Sequence, residues 1–293
     1  MPELPEVETM RRGIEHLVGL RIGSVAFPRG TVRPISIRPG PRAVARRITG
    51  RTIAAVHRFG KRVAVELAPA DRAGREWLVI EPRMTGLMLV ADPPTPAHVR
   101  LEIALEPLRQ RLLFWDRRGL GTIRLLDERG LAAACGSEKL GPDGLAVTGD
   151  ELRDRLGRSR RAVKVALLDQ HAVAGIGNIY AAEILFEAGI DPRVPCRRLG
   201  AVRWEQVAAA ARRILAEAVR LEGSTIGDET YKTADNRSGR FQSRHRAYGR
   251  EGKPCGRCGT SIVRIVQAQR STFFCPHCQW HHRRRSNTLA GRP

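Results

Sequence analysis

From Pro5 to Val18 the apolar residues Val7, Met10, Ile14, Leu17 and Val18 recur at the spacing of one helical face, so a helix begins almost at the N-terminus and holds the first residues in place. The texture then changes. Between about Arg21 and Asp127 short alternating runs follow one another: Val63, Val65 and Leu67; Trp77 to Ile80; Val99, Leu101, Ile103 and Leu105; Thr122 to Leu126. Period-two alternation predicts strands of an antiparallel sheet, folded as a sandwich. A Gly/Pro-rich linker, Gly136 to Gly149, precedes helical segments at Glu151 to Gly157, Arg160 to Gln170, Ile179 to Ala188 and Trp204 to Leu221. The third stops at Gly189 before Pro192, and the last carries Val207, Ala211, Ile214 and Leu215 on one face. Gly223 to Arg250 is polar with little periodicity and reads as a long functional loop. Two short strands, Ile262 to Gln267 and Ser271 to Phe274, form a terminal hairpin, and Arg283 to Pro293 reads as a disordered basic tail.

The predicted chain is therefore a multidomain α+β protein. Residues 1–137 hold an N-terminal helix plus antiparallel β-sandwich, 138–240 a helical domain with a loop, 245–282 a cysteine-bearing finger and 283–293 the tail. A length of 293 residues suits two domains and a small appendage. No apolar run approaches the ~20 residues of a membrane span and the start lacks a signal peptide's apolar segment, so a soluble cytoplasmic monomer is expected. Lys and Arg number 51 against 30 acidic residues, a formal charge of +21. This favours a polyanionic partner, but a GC-rich genome that prefers Arg codons gives the same balance, so the site chemistry must decide.

Four of the six cysteines fall in Cys255-x2-Cys258-x16-Cys275-x2-Cys278, a spacing suited to a four-thiolate zinc site, while Cys135 and Cys196 stand alone. Four protein ligands saturate a tetrahedral ion, so one structural zinc is expected and no chemistry from it. The intervening hairpin would carry Ala268, Gln269 and Arg270 at its turn, with Arg270 either a functional cation or one more exposed arginine. Gly175-Ile176-Gly177-Asn178-Ile179-Tyr180 precedes a helix. It is either a packing hairpin or a phosphate site made by backbone N–H groups at the helix's positive end. The start, Met1-Pro2-Glu3-Leu4-Pro5-Glu6, also has two readings. Proline and acidic residues suit a helix's first turn. Alternatively, once Met1 is removed, Pro2 presents a secondary amine that is partly unprotonated at neutral pH and can attack an electrophilic carbon to form an iminium, with Glu3 and Glu6 beside it.

Pro2 to Thr9 with Arg11-Arg12-Gly13 resembles the opening of bacterial formamidopyrimidine-DNA glycosylases, and Gly175 to Tyr180 followed by Ala181-Ala182-Glu183 is similar to that family's helix-two-turn-helix. Gly239-Arg240-Phe241-Gln242, Tyr248-Gly249-Arg250, the four cysteines and Gln269-Arg270-Ser271-Thr272-Phe273 follow in the family's order, so the resemblance runs from residue 2 to about 280. It implies a bifunctional DNA glycosylase/AP lyase that flips 8-oxoguanine or formamidopyrimidine out of damaged duplex DNA, cleaves the glycosidic bond and nicks the strand by β,δ-elimination. By similarity Pro2 attacks C1′, Glu3 is the acid assisting sugar-ring opening, Lys61 is the basic residue of β-elimination, and Arg270 grips the lesion's phosphate and helps δ-elimination. Asn178 would bind a backbone phosphate, and Lys164 joins the DNA-contacting set. Met84 would enter the emptied stack, Arg118 would take the orphaned base and Leu120 would stand at the wedge.

The last two lie where the chain departs from the pattern. Asp116-Arg117-Arg118-Gly119-Leu120-Gly121 replaces Asp-Pro-Arg-Arg-Phe-Gly, and a leucine cannot stack as phenylalanine does. Glu81-Pro82-Arg83 and the lesion-capping loop Ser224 to Arg237 are also unusual, so lesion and opposite-base preference stay open. Two alternatives stand beside this reading: an endonuclease VIII-type enzyme for oxidised pyrimidines with the same Pro/Glu pair, and a catalytically silent DNA-binding relative. No membrane partner is expected.

Overall fold

The computed structural model describes residues 2–28, 33–69, 74–107, 110–227 and 230–279; Met1 and the predicted tail at 283–293 lie outside them. The N-terminal helix α1 (Leu4–Gly13) is shorter than its apolar stripe predicts. Its face continues because a single 3-10 turn, Glu15–Leu17, keeps Ile14 and Leu17 fully buried.

The strands form two sheets. One orders β1 (Arg21–Ala26), β7 (Val99–Glu106), β8 (Gln110–Asp116) and β6 (Gly86–Leu89) as β1-β7-β8-β6. The other joins β2 (Ser36–Arg38), β9 (Thr122–Leu126), β5 (Glu76–Glu81), β4 (Arg62–Leu67) and β3 (Ile53–Phe59) as β2-β9-β5-β4-β3. Neighbours are antiparallel with one exception. The three-residue β2 lies parallel to β9, Ser36 opposite Thr122, because β2 reaches its partner across the intervening strands rather than through a hairpin. Apolar residues of both sheets, among them Ile22, Val65, Ile80, Ile103 and Phe114, share one core.

One helix stands within the stretch read as strands, and another just after it, where no element was expected. The first, α2 (Pro41–Ile48), buries Val44 and Ile48 in that core; the second, α3 (Glu128–Cys135), packs Leu131, Ala134 and Cys135 against Ala64, Trp77 and Val79. Eight-residue helices built largely of Arg and Ala offer too few apolar positions for a 3.6-residue period to stand out.

The second lobe contains α4 (Gly149–Leu156), α5 (Val163–Leu167), α6 (Asn178–Glu187) and α7 (Ala201–Arg220). The helix expected over 160–170 contracts to α5. Its first N–H groups bond to Val194 and Pro192 carbonyls, and the Gln170 amide closes the following turn by accepting from Gly175 N and donating to the Ile176 carbonyl. The terminal hairpin pairs β10 (Val263–Gln267) with β11 (Arg270–Phe274). Its turn is Ala268-Gln269, both at positive φ (45° and 59°), as a two-residue hairpin loop requires. Arg270 is thus the first strand residue, opposite Gln267, and not part of the turn.

The placement of α1 decides where the site lies. Leu4 belongs to the helical core, whereas Val7, Met10 and Ile14 belong to the sandwich core, so the N-terminus sits at the seam of the two lobes. Glu8 tightens that seam by pairing with Arg11, Arg12 and Arg58, and Arg58 reaches Asp143 of the linker at 2.7 Å. The loop over 223–250 also bridges the lobes. Tyr231 and Ala234 are buried in the sandwich core, and the Ala234 carbonyl accepts from Val90 N at 2.9 Å. Among the described residues no helix is long and apolar enough to cross a membrane.

Candidate active site

Pro2 is buried, and Glu3 beside it is 1% exposed. A carboxylate removed from water needs donors, and α6 provides them: Ile179 N donates to Glu3 Oε1 at 2.9 Å and Tyr180 N to Oε2 at 3.3 Å. The helix N-terminus therefore holds Glu3, and the backbone phosphate site considered for Gly175 to Tyr180 is not what these N–H groups serve. The glycines explain themselves against α1. A Cβ on Gly177 would lie 2.3 Å from the Glu3 carboxyl carbon, and one on Gly175, whose φ is +96°, would lie 2.4 Å from Leu4 Cδ1. Leu4 N donates to the Gly175 carbonyl at 3.0 Å, tying the chain start to this turn.

Glu6 lies one helical turn further in and is 1% exposed. It accepts from Glu3 N (2.9 Å), Tyr180 Oη (2.6 Å) and Ser224 N (2.8 Å). Burial and then the neighbouring Glu3 charge raise its pKa, partly offset by those donors.

Three cations face these carboxylates. Lys61 occupies the turn Gly60-Lys61 between β3 and β4 and is half-buried. Burial pushes its pKa down, Glu3 and Glu6 act to raise it, and Arg270 depresses it further. Lys164 is 0% exposed; burial, then Arg270, brings its pKa to about 8. Its Nζ donates to Asn178 Oδ1 at 2.5 Å and to the Ser271 carbonyl at 3.4 Å, while Asn178 Nδ2 donates to the same carbonyl at 3.1 Å. Arg270 is exposed and has no acidic partner among the described residues. Like charges crowded this way repel one another, and an anion from outside relieves the repulsion. Arg270 lines a cleft of about 450 Å³ together with Glu3, Met84, Asn178, Ile226 and Tyr248, and Lys164 lies behind its Asn178 and Ser271 wall.

Met84 and Arg118 lie on adjoining turns. Met84 is in the turn between β5 and β6, not on a strand, and is 36% exposed. The fully buried Asp116 fixes both turns. Its Oδ1 accepts from Thr85 Oγ1 (2.5 Å) and Arg118 N (3.2 Å), and its Oδ2 from Gly121 N (2.7 Å). Arg118 is exposed and Leu120 half-buried. Gly119, at φ +61°, passes the Arg33 carbonyl so closely that a Cβ would sit 2.4 Å from its oxygen, which requires glycine between Arg118 and Leu120.

Cys255, Cys258, Cys275 and Cys278 bring their sulfurs within 4.8 Å of one another, with 3.9 Å between Cys255 and Cys278 and 3.6 Å between Cys258 and Cys275. A tetrahedron of thiolates ~2.3 Å from zinc has edges of about 3.8 Å, so the four fit one structural zinc ion. The module is pressed onto α6. Arg257 Nη1 donates to the Phe186 carbonyl (2.9 Å), and Gln279 Nε2 to the Ile190 carbonyl (2.8 Å). Glu183, a buried acid that sequence reasoning did not single out, accepts from Arg246 N, Ala247 N and Tyr248 N (2.7–3.0 Å) and so positions the strand of chain leading to the metal site. Tyr248, also missed, lines the cleft. Burial and the Glu3 charge raise its hydroxyl pKa, and the nearby Asn178 side chain offsets part of that rise. Both Glu183 and Tyr248 stand in segments that carry the resemblance given above, Ala181-Ala182-Glu183 and Tyr248-Gly249-Arg250, but nothing in the sequence assigned either side chain a role.

Comparison with known proteins gives three matching family models: the formamidopyrimidine-DNA glycosylase N-terminal domain over residues 1–123, the formamidopyrimidine-DNA glycosylase H2TH domain over 140–230, and the zinc finger found in FPG and IleRS over 252–279. The formamidopyrimidine-DNA glycosylase of Chloroflexus aurantiacus is 41% identical over 285 residues, covering 95% of this chain and 98% of its own. The crystal structure of the MutM (Fpg) protein of Thermus thermophilus superposes with a TM-score of 0.82 at 38% identity, covering 95% of this chain and 98% of that one. Wild-type Lactococcus lactis Fpg, in complex with DNA containing N7-benzyl-Fapy-dG, gives a TM-score of 0.83 at 32% identity over 96% of this chain and 100% of that one.

Proposed function

Because the chain belongs to the formamidopyrimidine-DNA glycosylase family, we propose that it is a DNA glycosylase and AP lyase that excises oxidised purines from damaged double-stranded DNA. The observation that carries the reading is the pairing of Pro2 with a Glu3 carboxylate seated on the N-terminus of α6, in a cleft that Arg270 lines, with Lys61 and Lys164 close enough to feel the Glu3 charge.

With Met1 removed, the Pro2 amine attacks C1′ of the flipped nucleotide, and the C1′–base bond breaks as the N–C1′ bond forms. Glu3, held beside Pro2 by the N-terminus of α6, takes the proton shed by the Pro2 nitrogen and returns it to the ring oxygen as the sugar opens to the iminium. Lys61, its basicity set by burial against two carboxylates, draws the C2′ proton and the 3′ phosphate departs. Arg270, Asn178 and Lys164 hold the backbone phosphate, and loss of the second phosphate completes δ-elimination. Met84, Arg118 and Leu120 fill the space left by the flipped nucleotide, at an unstacking cost of a few kcal/mol. The zinc ion holds the hairpin that carries Arg270 and takes no part in the chemistry.

Borohydride reduction tests the nucleophile. A covalent protein–DNA adduct should form on duplexes containing 8-oxoguanine or an abasic site and should vanish when the N-terminus is blocked by an extension. An adduct that persists undiminished after blocking would move the nucleophile to a lysine, with Lys61 first in line.

A further inference from the structure

Beneath the catalytic pair a chain of hydrogen bonds runs away from the cleft. Tyr180 Oη lies 2.6 Å from Glu6 Oε1 and 3.4 Å from Ser224 Oγ, and Ser224 Oγ lies 3.0 Å from His245 Nε2. Donor and acceptor chemistry fixes the direction. An ionised carboxylate only accepts, so Tyr180 donates to Glu6, Ser224 donates to Tyr180, and His245 carries its proton on Nε2 and donates to Ser224. Tyr180 is 0% and Ser224 3% exposed, so water does not compete for these groups. His245 ends the chain at a second cleft of about 360 Å³, bounded by Phe186, Arg246, Arg250, Gly256 and Arg257, which shares no lining residue with the first.

The reaction creates a need for such a connection. With Pro2 entering as the free amine, opening the sugar and releasing a neutral base consume two protons, one at O4′ and one on the base. The amine supplies one, so the second comes from solvent, while bound DNA covers the front cleft.

We propose that His245, Ser224 and Tyr180 form a proton relay that carries this second proton from the second cleft to Glu6, at the first turn of α1 beside Glu3; Glu6 then gives it up to the Glu3 carboxylate, which has lost its own proton to O4′, and Glu3 passes it to the departing base. A solvent proton adds to His245 Nδ1, the Nε2 proton passes to Ser224 Oγ, the Ser224 hydroxyl proton passes to Tyr180 Oη, and the Tyr180 proton passes to Glu6 Oε1. His245, Ser224 and Tyr180 each gain one proton and lose one and so stay neutral, while the Glu6 carboxylate is neutralised, so the transfer balances. The groups that act on the inner end are Glu3, Tyr180, Tyr231 and Lys61; the outer end meets the Phe241 and Tyr248 rings and the three cleft arginines. Burial depresses the His245 pKa to about 4 and raises that of Glu6, so the proton is held more firmly at the inner end of the chain than at the outer one.

The proposal rests on the glycosylase reading, and one experiment separates the two. Single-turnover excision of 8-oxoguanine from duplex DNA is measured for the wild-type protein and for Ser224→Ala, Ser224→Thr and His245→Ala, with duplex affinity and melting temperature recorded for each. The relay predicts that Ser224→Ala and His245→Ala slow excision by about 10²-fold, the low end of what a positioned proton-transfer group contributes. DNA affinity should be unchanged, and Ser224→Thr, which keeps the hydroxyl, should restore the rate. Added imidazole should rescue His245→Ala in proportion to its concentration, a response that a packing role for His245 does not give. An active wild-type protein with Ser224→Ala at the wild-type rate, or a slow His245→Ala that imidazole leaves slow, would overturn the relay alone. A wild-type protein that neither excises nor traps would overturn the functional reading and the relay with it.

Discussion

Replacing Gly177 by alanine probes the contact on which the site geometry depends. Gly177 has an ordinary extended backbone, φ −131°, so the substitution tests space and not conformational freedom. The new methyl would stand 2.3 Å from the Glu3 carboxyl carbon and 2.5 Å and 2.7 Å from its oxygens. Ordinary carbon contacts lie at ~3.5 Å or more, so the carboxylate must retreat by about 1.2 Å. Its bond from Ile179 N, now 2.9 Å, would then exceed hydrogen-bonding distance, and the 3.3 Å bond from Tyr180 N would fail first. Hydrogen bonds to charged groups contribute roughly 1.5–3 kcal/mol each, and about 1.4 kcal/mol is tenfold in rate. Even at the low end of that range the two losses together, and a displacement of this size by itself, each point to a fall of about 10²-fold or more in single-turnover excision of 8-oxoguanine. Cleavage of a preformed abasic site depends less on proton delivery to the sugar and should fall less. Duplex affinity should change little, because Lys61, Lys164 and Arg270 are untouched. Excision by Gly177→Ala within about twofold of wild type would refute the reasoning, since Glu3 would then tolerate displacement from the helix terminus.

Lys164, with a pKa lowered to about 8, should make DNA binding sensitive to mild alkali. The folded state disfavours its charged form, so folding stability gains as pH rises from about 8 toward the unfolded value near 10.5, whereas phosphate binding, which wants the charge, weakens over the same window. Titration calorimetry in buffers of different ionisation enthalpy should show proton uptake on duplex binding above about pH 8, and Lys164→Gln should abolish it; uptake that survives the substitution would assign it elsewhere. In the metal site, Cys275→Ser removes one of four ligands from a residue that is 0% exposed and packs with Phe186, Ile262 and Phe273. Zinc content should fall from one per chain, the hairpin bearing Arg270 should become protease-sensitive, and duplex affinity should drop. Metal-depleted protein that binds DNA as tightly as before would contradict the structural role.

The sequence alone determined whatever is local in the chain. The spacing of four cysteines depends on a few bonds around one ion. The apolar stripe of α7 and the alternation of β4 and β7 follow from helical and strand geometry. The proline and acidic residues at the start bring their own chemistry. The resemblance then joined these parts in order. Tertiary structure decided the partnerships. Gly175 to Tyr180 can be read as a packing turn or as a phosphate loop, because its exposed N–H groups suit any anion; only the fold shows that the anion is Glu3, from 176 positions earlier. The helices α2 and α3 were hidden because their few apolar residues gain meaning only against the sheets they cover. Asp116, Glu183 and the bonds from Glu6 to His245 were invisible for the same reason. A buried polar side chain is indistinguishable in sequence from a solvated one until its donors, dozens or hundreds of residues away, are brought within 3 Å and the cost of desolvation makes each bond obligatory.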